Sequence, residues 1–185
     1  SYGKKDGRQK LIPSLHPELL HDCLFRIRQE IGVESPLSVK VSPIDPLTDA
    51  ILLEKIVLVI TESGCVDEVV ATNTIPNQEG TRDDGSPALS FKVSEEATDT
   101  LHKGGKAGRP LKPIALRMVT ALRVLLPRNI RIIGCGGNFE GQDFLDYLKA
   151  GASGIQIGTA FFEQGPRIFS DIVAEAAKLL ESTEG

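Results

Sequence analysis

Hydrophobic residues alternate along this chain between helical and strand spacing, and the alternation predicts a repeated strand–helix order. Leu20, Leu24, Ile27 and Ile31 recur at intervals of three or four, the spacing of one helix face, and Gly32 follows them. Short β-branched runs closed by glycine or polar residues come later, which is typical of strands. We expect the order α-β-α-β-α-β-α-β-α, which corresponds to four strand–helix units around a parallel sheet.

The same periodicity predicts the bounds of each element. The predicted strands cover 37–42, 66–71, 130–135 and 154–158. Helices are predicted to begin at Pro17 and to cover 48–63, 111–126, 142–150 and 168–180. The apolar stripes of the helices at 111–126 and 168–180 consist of Ile114, Met118, Leu122 and Leu125, and of Ile168, Ile172, Ala176 and Leu179.

Two glycine-ended strands predict a phosphate site. The sequence IIGCGG at 132–137 and the sequence GIQIGT at 154–159 each run from β-branched residues into glycine, with one helical segment between them. Parallel strands joined in this way bring their carboxyl ends to the same edge, where bare backbone N–H groups can surround an anion. A phosphate site recurs at this position in barrels of eight strands and eight helices, after strands seven and eight.

Polar residues at the ends of the earlier strands predict further ligand contacts. Lys40 lies between Val39 and Val41, so on a strand its side chain points away from both valines. The alternative is a lysine whose ammonium reaches out to solvent at a strand end. Thr72, Asn73 and Thr74 follow the second predicted strand and form a candidate ligand edge, the alternative being a turn built from hydrogen-bonding side chains.

Composition excludes several classes of protein. The chain has 185 residues and a net charge of −4, which argues against a general nucleic-acid binder, and it lacks the roughly 20 consecutive apolar residues of a membrane span. The cysteines and histidines are scattered without metal-ligand spacing: Cys23, Cys65, Cys135, His16, His21 and His102. We therefore expect no disulfide framework and no metal, and a reducing, cytoplasmic location.

Length indicates one partial domain over 1–185. A complete barrel of eight strands and eight helices needs about 250 residues, so this chain has room for about half of one. Residues 1–12 are polar and basic and are predicted to be a flexible terminus. Residues 75–109 are predicted to form a long active-site loop that ends in a glycine-rich turn.

Taken together and in order, the motifs of this chain resemble those of the dihydroorotate dehydrogenase family. They are VKV at 39–41, TNT at 72–74, GGKAGRPLKPIAL at 104–116, IGCGG at 133–137, AGAS at 150–153, QIGTA at 156–160 and GPRIF at 165–169. The resemblance implies strands five to eight of a (β/α)8 barrel, an FMN cofactor, and oxidation of dihydroorotate to orotate in pyrimidine biosynthesis. The glycine before the threonine in QIGT is similar to the soluble class 1 branch, which further implies a homodimer.

The resemblance also implies a role for each matching residue. Lys40 corresponds to a lysine beside the flavin ring, Thr72 to a flavin contact, and Asn73 and Thr74 to substrate-binding residues. The positions that correspond to FMN contacts, mostly to its phosphate, are Gly108, Cys135, Gly136, Gly137, Gly158 and Thr159. The family's catalytic base falls upstream of residue 1, so the remaining half of the barrel is an expected partner.

Two alternatives stay open on the sequence alone. One is a flavin oxidoreductase of related architecture that acts on another pyrimidine or enone. The other is a phosphate-binding half barrel without redox activity of its own, which the missing base favours for the isolated chain.

Overall fold

The computed structural model describes residues 12–76 and 105–182. The helices are α1 (Pro17–Ile31), α2 (Ala50–Ser63), α3 (Lys112–Leu125), α4 (Gly141–Ala150), α5 (Thr159–Gln164) and α6 (Ile168–Glu181). The strands are β1 (Ser38–Val41), β2 (Glu68–Ala71), β3 (Ile75–Pro76), β4 (Gly105–Lys106), β5 (Arg131–Cys135) and β6 (Gly154–Gln156). Within these ranges, every helix is too short or too polar to cross a bilayer.

Four of the strands form one parallel sheet in the order β1-β2-β5-β6. In its register, Lys40 lies beside Val70, Val70 beside Ile133, and Ile133 beside Gly154. β1, β5 and β6 are each followed directly by a helix, and β2 leads through the short strands β3 and β4 to α3, which confirms the predicted parallel α/β arrangement. Because all four strands run the same way, their carboxyl ends meet at one edge.

Alternation along the strands assigns the two faces of this sheet. Val41, Val69 and Ile132 are buried in a core shared with helices α1 to α4, and Val39 packs against the same core. Lys40 points away from that core, because successive side chains on a strand face opposite sides. The prediction that Val39 and Val41 line the strand–helix layer while Lys40 faces the other side is therefore confirmed.

Glycines end α1 and α2 where the sequence predicted, and a side-chain capping box begins α4. α1 begins with Pro17, and Gly32 caps its end with a φ of +73°. Gly64 closes α2 in the left-handed region, at a φ of +58°, which glycine adopts without a steric penalty. α4 begins with a capping box formed by Glu140 and Asp143, which satisfies N–H groups left open at a helix start.

The predicted loop at 75–109 is more structured at its ends than expected. β3 and β4 form an antiparallel pair in which Ile75 lies opposite Lys106, and a 3₁₀ turn at Arg109–Leu111 then leads into α3. Thr74 fills the space beside Gly105, whose Cβ, if present, would lie 2.0 Å from the Thr74 hydroxyl oxygen. The middle of that predicted loop and the predicted flexible terminus lie outside the described residues, apart from Ile12.

Three further predictions need correction. β6 ends at Gln156 rather than at Gly158, because Gly158 turns the chain directly into α5, a helix the sequence pattern did not indicate. Leu125 and Leu179 were predicted to share the buried stripes of α3 and α6, but they are 41% and 37% exposed. Both leucines lie in the last turn of their helices, whereas the earlier stripe residues Met118, Leu122, Ile168, Ile172 and Ala176 are buried.

Candidate functional site

Lys40 crosses the open face of the sheet toward the carboxyl edge. Its ammonium nitrogen donates to the Cys135 sulfur at 3.2 Å and to the Gln156 side-chain oxygen at 3.2 Å. These partners belong to β5 and β6, whereas Lys40 belongs to β1, so the side chain reaches across β2. The ammonium therefore lies over the sheet, held by groups from two other strands.

The Thr72–Asn73–Thr74 segment is attached to strands on both sides of β2. The Thr72 N–H donates to the Cys135 carbonyl at 2.8 Å, and the Asn73 N–H donates to the Val41 carbonyl at 2.8 Å. Thr72 is buried, whereas the side chains of Asn73 and Thr74 are exposed. The Asn73 side-chain oxygen also accepts from the Thr74 N–H at 2.9 Å, and the segment forms an exposed polar edge without an assigned turn.

Residues from three predicted phosphate-binding segments converge at the same edge. A Cβ on Gly137 would lie 2.7 Å from the Lys112 Cβ and 3.2 Å from the Gly108 carbonyl oxygen. A Cβ on Gly108 would lie 3.5 Å from the Thr159 methyl carbon. Gly137 also has a φ of +70°, so both its backbone and its surroundings require glycine. The turns before α3, after β5 and after β6 thus enclose one small volume.

The backbone around this volume offers unused hydrogen-bond donors. Within residues 12–76 and 105–182, the N–H groups of Gly136, Gly137, Gly158 and Thr159 donate to no other described residue. A Cβ on Gly158 would meet nothing within 4 Å, so the space next to it is open. Closely spaced N–H groups with bare glycine between them are the donor set that a phosphate requires, and the residues present fit FMN in this respect.

Tyr147 and Asn138 hold the turn after β5 in place. The Tyr147 ring lies against Gly134, where a Cβ would approach the ring to 2.1 Å, and its hydroxyl donates to the Gly136 carbonyl at 2.7 Å. Burial raises the pKa of Tyr147, so the hydroxyl remains protonated and keeps donating. The Asn138 amide donates to the Gln156 carbonyl at 2.9 Å, which links the end of β5 to the end of β6.

A partly buried ion-pair network of Lys112, Asp143 and Asp146 supports the same turn. Asp143 accepts hydrogen bonds from the Phe139 and Glu140 N–H groups and from the Lys112 ammonium at 2.5 Å. Lys112 also donates to Asp146 at 2.7 Å. Burial acts to lower the pKa of Lys112, but the hydrogen bonds to the two carboxylates outweigh it and raise the pKa, so Lys112 stays charged.

Sequence reasoning did not single out Gln156, Asn138, Tyr147 or the Lys112 network as site residues. Gln156 could have been found by the rule that selected Lys40, since it is a polar residue among apolar neighbours on a predicted strand. Asn138 directly follows a glycine-ended strand, as the TNT segment follows β2. The capping box of Glu140 and Asp143 departs from the usual Ser/Thr and Glu/Gln signature, so it was visible only in the structure, as was the Tyr147 contact.

Comparison with known proteins identifies relatives of this arrangement. A family model described as dihydroorotate dehydrogenase matches residues 11–180. The catalytic subunit of dihydroorotate dehydrogenase B (NAD(+)) from Thermodesulfovibrio yellowstonii is 35% identical over 150 residues, which is 80% of this chain and 42% of that protein. Dihydroorotate dehydrogenase A (fumarate) from Lactococcus lactis subsp. lactis is 42% identical over 78 residues, covering 42% of this chain and 25% of that protein. The mitochondrial dihydroorotate dehydrogenase (quinone) of Schizosaccharomyces pombe is 41% identical over 88 residues, covering 45% of this chain and 20% of that protein.

A solved structure shares the fold. The crystal structure of DHODH from Eimeria tenella in complex with ferulenol superposes with a TM-score of 0.70 at 22% identity, covering 92% of this chain and 46% of that chain. The present chain thus spans less than half the length of these relatives. Relatives named for NAD(+), fumarate and quinone are all among the matches, so these matches do not favour the soluble branch over the quinone branch.

Proposed function

Because this chain belongs to the dihydroorotate dehydrogenase family, we propose that it supplies the flavin-holding part of an FMN-dependent enzyme that oxidises dihydroorotate to orotate in pyrimidine biosynthesis. The observation that carries the proposal is the convergence of Gly108, Gly137 and Thr159 around unused N–H groups, on the sheet edge that also holds Lys40. FMN, when bound, supplies the hydride acceptor of the reaction. The residues of this chain would bind the FMN phosphate, place the charge of Lys40 beside the flavin and bind dihydroorotate.

We extend the proposal to the architecture. The parallel order β1-β2-β5-β6 leaves β1 and β6 as edge strands, and a barrel closes only when each strand has two neighbours. The remaining half of the barrel would then pair with these two edges and enclose the face that carries Lys40. In that arrangement the chain contributes strands five to eight, which agrees with its coverage of less than half of each relative.

Each site residue has a role in this proposal. The backbone amides of Gly136, Gly137, Gly158 and Thr159 bind the phosphate, with Gly108 closing the same volume. Lys40 would place its positive charge beside bound FMN, where a fixed cation favours the negatively charged reduced form. Cys135, the sulfur partner of Lys40, would form part of the same FMN site.

Substrate contacts and the remaining chemistry complete the assignment. Thr72, buried at the end of β2, would contact FMN, and the exposed side chains of Asn73 and Thr74 would bind the pyrimidine ring and the carboxylate of dihydroorotate. The catalytic base comes from the remaining half of the barrel. The three cysteines are free thiols, which suits a cytoplasmic enzyme, and we expect a homodimer.

Flavin content and turnover test the proposal directly. The protein that carries this chain should purify with FMN and should form orotate from dihydroorotate with an artificial electron acceptor. Gly137→Val should purify without FMN, because a branched side chain would collide with Lys112 and with the Gly108–Arg109 backbone and would displace the turn that carries the phosphate-binding amides. A protein that binds FMN but leaves dihydroorotate unchanged would instead be a related flavin oxidoreductase.

A second function rests on the amide cluster alone. Free N–H groups around an open glycine-lined volume suit many phosphate ligands, so a phosphate-binding half barrel without redox activity is the other candidate. Binding of inorganic phosphate, without FMN and without orotate formation, would support this second function and contradict the first.

A further inference from the structure

Arg109 is a charged residue that the assignment above leaves without a role. It directly follows Gly108 and begins the 3₁₀ turn Arg109–Leu111. Its guanidinium carbon lies 4.4 Å from the centre of the Phe139 ring, so the side chain connects the turn before α3 with the turn after β5. Phe139 is only 8% exposed and packs with Ala160, which makes the ring a fixed support.

This pair forms part of the wall of the glycine-lined volume. A Cβ on Gly108 would lie 3.9 Å from the tip of the Phe139 ring, and a Cβ on Gly137 would lie 3.3 Å from the Arg109 Cα. The Thr159 methyl carbon lies close to the same Cβ position of Gly108, at 3.5 Å. The Arg109 backbone and the Phe139 ring therefore both border the glycines assigned to the phosphate site.

The two positively charged residues near this volume, Lys112 and Arg109, differ in whether a carboxylate pairs with them. Lys112 is already paired with Asp143 and Asp146. Arg109 has no carboxylate partner among residues 12–76 and 105–182, and its side chain is exposed. A guanidinium that stacks on an aromatic face keeps its N–H groups free at the edge, and their planar arrangement matches two phosphate oxygens.

We propose that Arg109 is a further phosphate-binding residue of this site, positioned by stacking on Phe139. The inference rests on the proposed function for the identity of the ligand, since the phosphate is that of FMN. Arg109 adds a positive charge to a set of neutral N–H donors, so it should discriminate between FMN and riboflavin, which lacks the phosphate.

The affinities of the FMN-free protein for FMN and for riboflavin test this role of Arg109. We expect Arg109→Gln to weaken FMN binding about 5- to 20-fold at low salt, the effect of one exposed charge-assisted contact, and to leave riboflavin binding unchanged. Arg109→Lys should retain most of the FMN affinity. Arg128→Gln is the matched control, because Arg128 is an exposed arginine in the turn before β5, at the opposite edge of the sheet.

The remaining outcomes separate the role of Arg109 from the proposed function. Equal FMN affinity in Arg109→Gln and the unmodified protein would overturn the role of Arg109 and leave the proposed function standing. Equal weakening for FMN and riboflavin would show that Arg109 acts on the fold, which also overturns it. If the unmodified protein binds no FMN, the proposed function fails, and titration with inorganic phosphate then decides: weaker binding in Arg109→Gln supports the phosphate contact, and unchanged binding overturns it.

Discussion

Replacing Tyr147 by phenylalanine should loosen the turn that carries the phosphate-binding amides while leaving the core filled. The tyrosine side chain is fully buried, and its ring lies where Gly134 has no side chain. Phenylalanine keeps this ring contact and removes a single oxygen atom. That atom is the donor to the Gly136 carbonyl at 2.7 Å, so the variant isolates one hydrogen bond at the end of β5.

The expected loss of unfolding free energy follows from the burial of the Tyr147 hydroxyl and the Gly136 carbonyl. A hydrogen bond of this kind contributes about 1 kcal/mol net, and leaving a buried acceptor unpaired costs about 1–3 kcal/mol. Gly136 is half-buried, so water can partly replace the lost donor, and we expect a total loss of about 1–2 kcal/mol. For a chain of 185 residues each kcal/mol lowers the melting temperature by about 2–4 °C, which gives a decrease of roughly 2–8 °C.

Urea unfolding followed by circular dichroism measures this loss. The matched control is Ser170→Ala, which removes an exposed hydroxyl that donates to the Arg167 carbonyl at 2.8 Å. We expect that control to change the free energy of unfolding by less than about 0.5 kcal/mol. If Tyr147→Phe unfolds at the same urea concentration as Ser170→Ala, the hydroxyl does not stabilise the turn, and the account of how the turn is held is wrong.

Three further substitutions test the site and its support. Gly137→Ala should cost about 2–4 kcal/mol in urea unfolding because its φ is +70° and its Cβ would lie 2.7 Å from that of Lys112, whereas Gly64→Ala, with a φ of +58° and open space, should cost about 1–2 kcal/mol; equal losses would contradict the crowding. Lys40→Met should slow dihydroorotate turnover on the order of 100-fold and leave the stability of the fold unchanged. An unchanged rate would instead support the alternative that Lys40 is a strand-end lysine directed to solvent. Burial acts to raise the pKa of Asp146, but hydrogen bonds, chiefly from Lys112, outweigh it and lower the pKa below 3.8. Asp146→Asn should therefore lose unfolding free energy at about pH 5–8 and lose none once the pH falls below that lowered pKa; a loss at about pH 7 that persists undiminished into strong acid would contradict the ion pair.

The sequence by itself determined the kind of fold. Spacing of apolar residues predicted the four parallel strands and all the α-helices of the described residues except α5, because burial of one helix face or one strand face needs a fixed period. Glycine at the ends of β5 and β6 predicted bare backbone at one edge. The ordered motifs predicted the family that the comparisons then showed.

Tertiary structure decided which of these residues touch. Lys40 meets Cys135 and Gln156 only because β1, β5 and β6 share one sheet across β2, and strand order is not written in local periodicity. Likewise, Gly134 lies within the predicted strand at 130–135, but only the packing shows that it is required there, because the Tyr147 ring occupies its side-chain space.

Burial at the helix ends was also decided by packing. Leu125 and Leu179 continue their helical stripes in sequence, but they remain partly exposed in the last turn of α3 and α6. Periodicity states which face of a helix is apolar, whereas burial depends on how far the neighbouring elements extend along it. The contact of Arg109 with Phe139 has the same origin, since it joins residues 30 positions apart through the meeting of two turns.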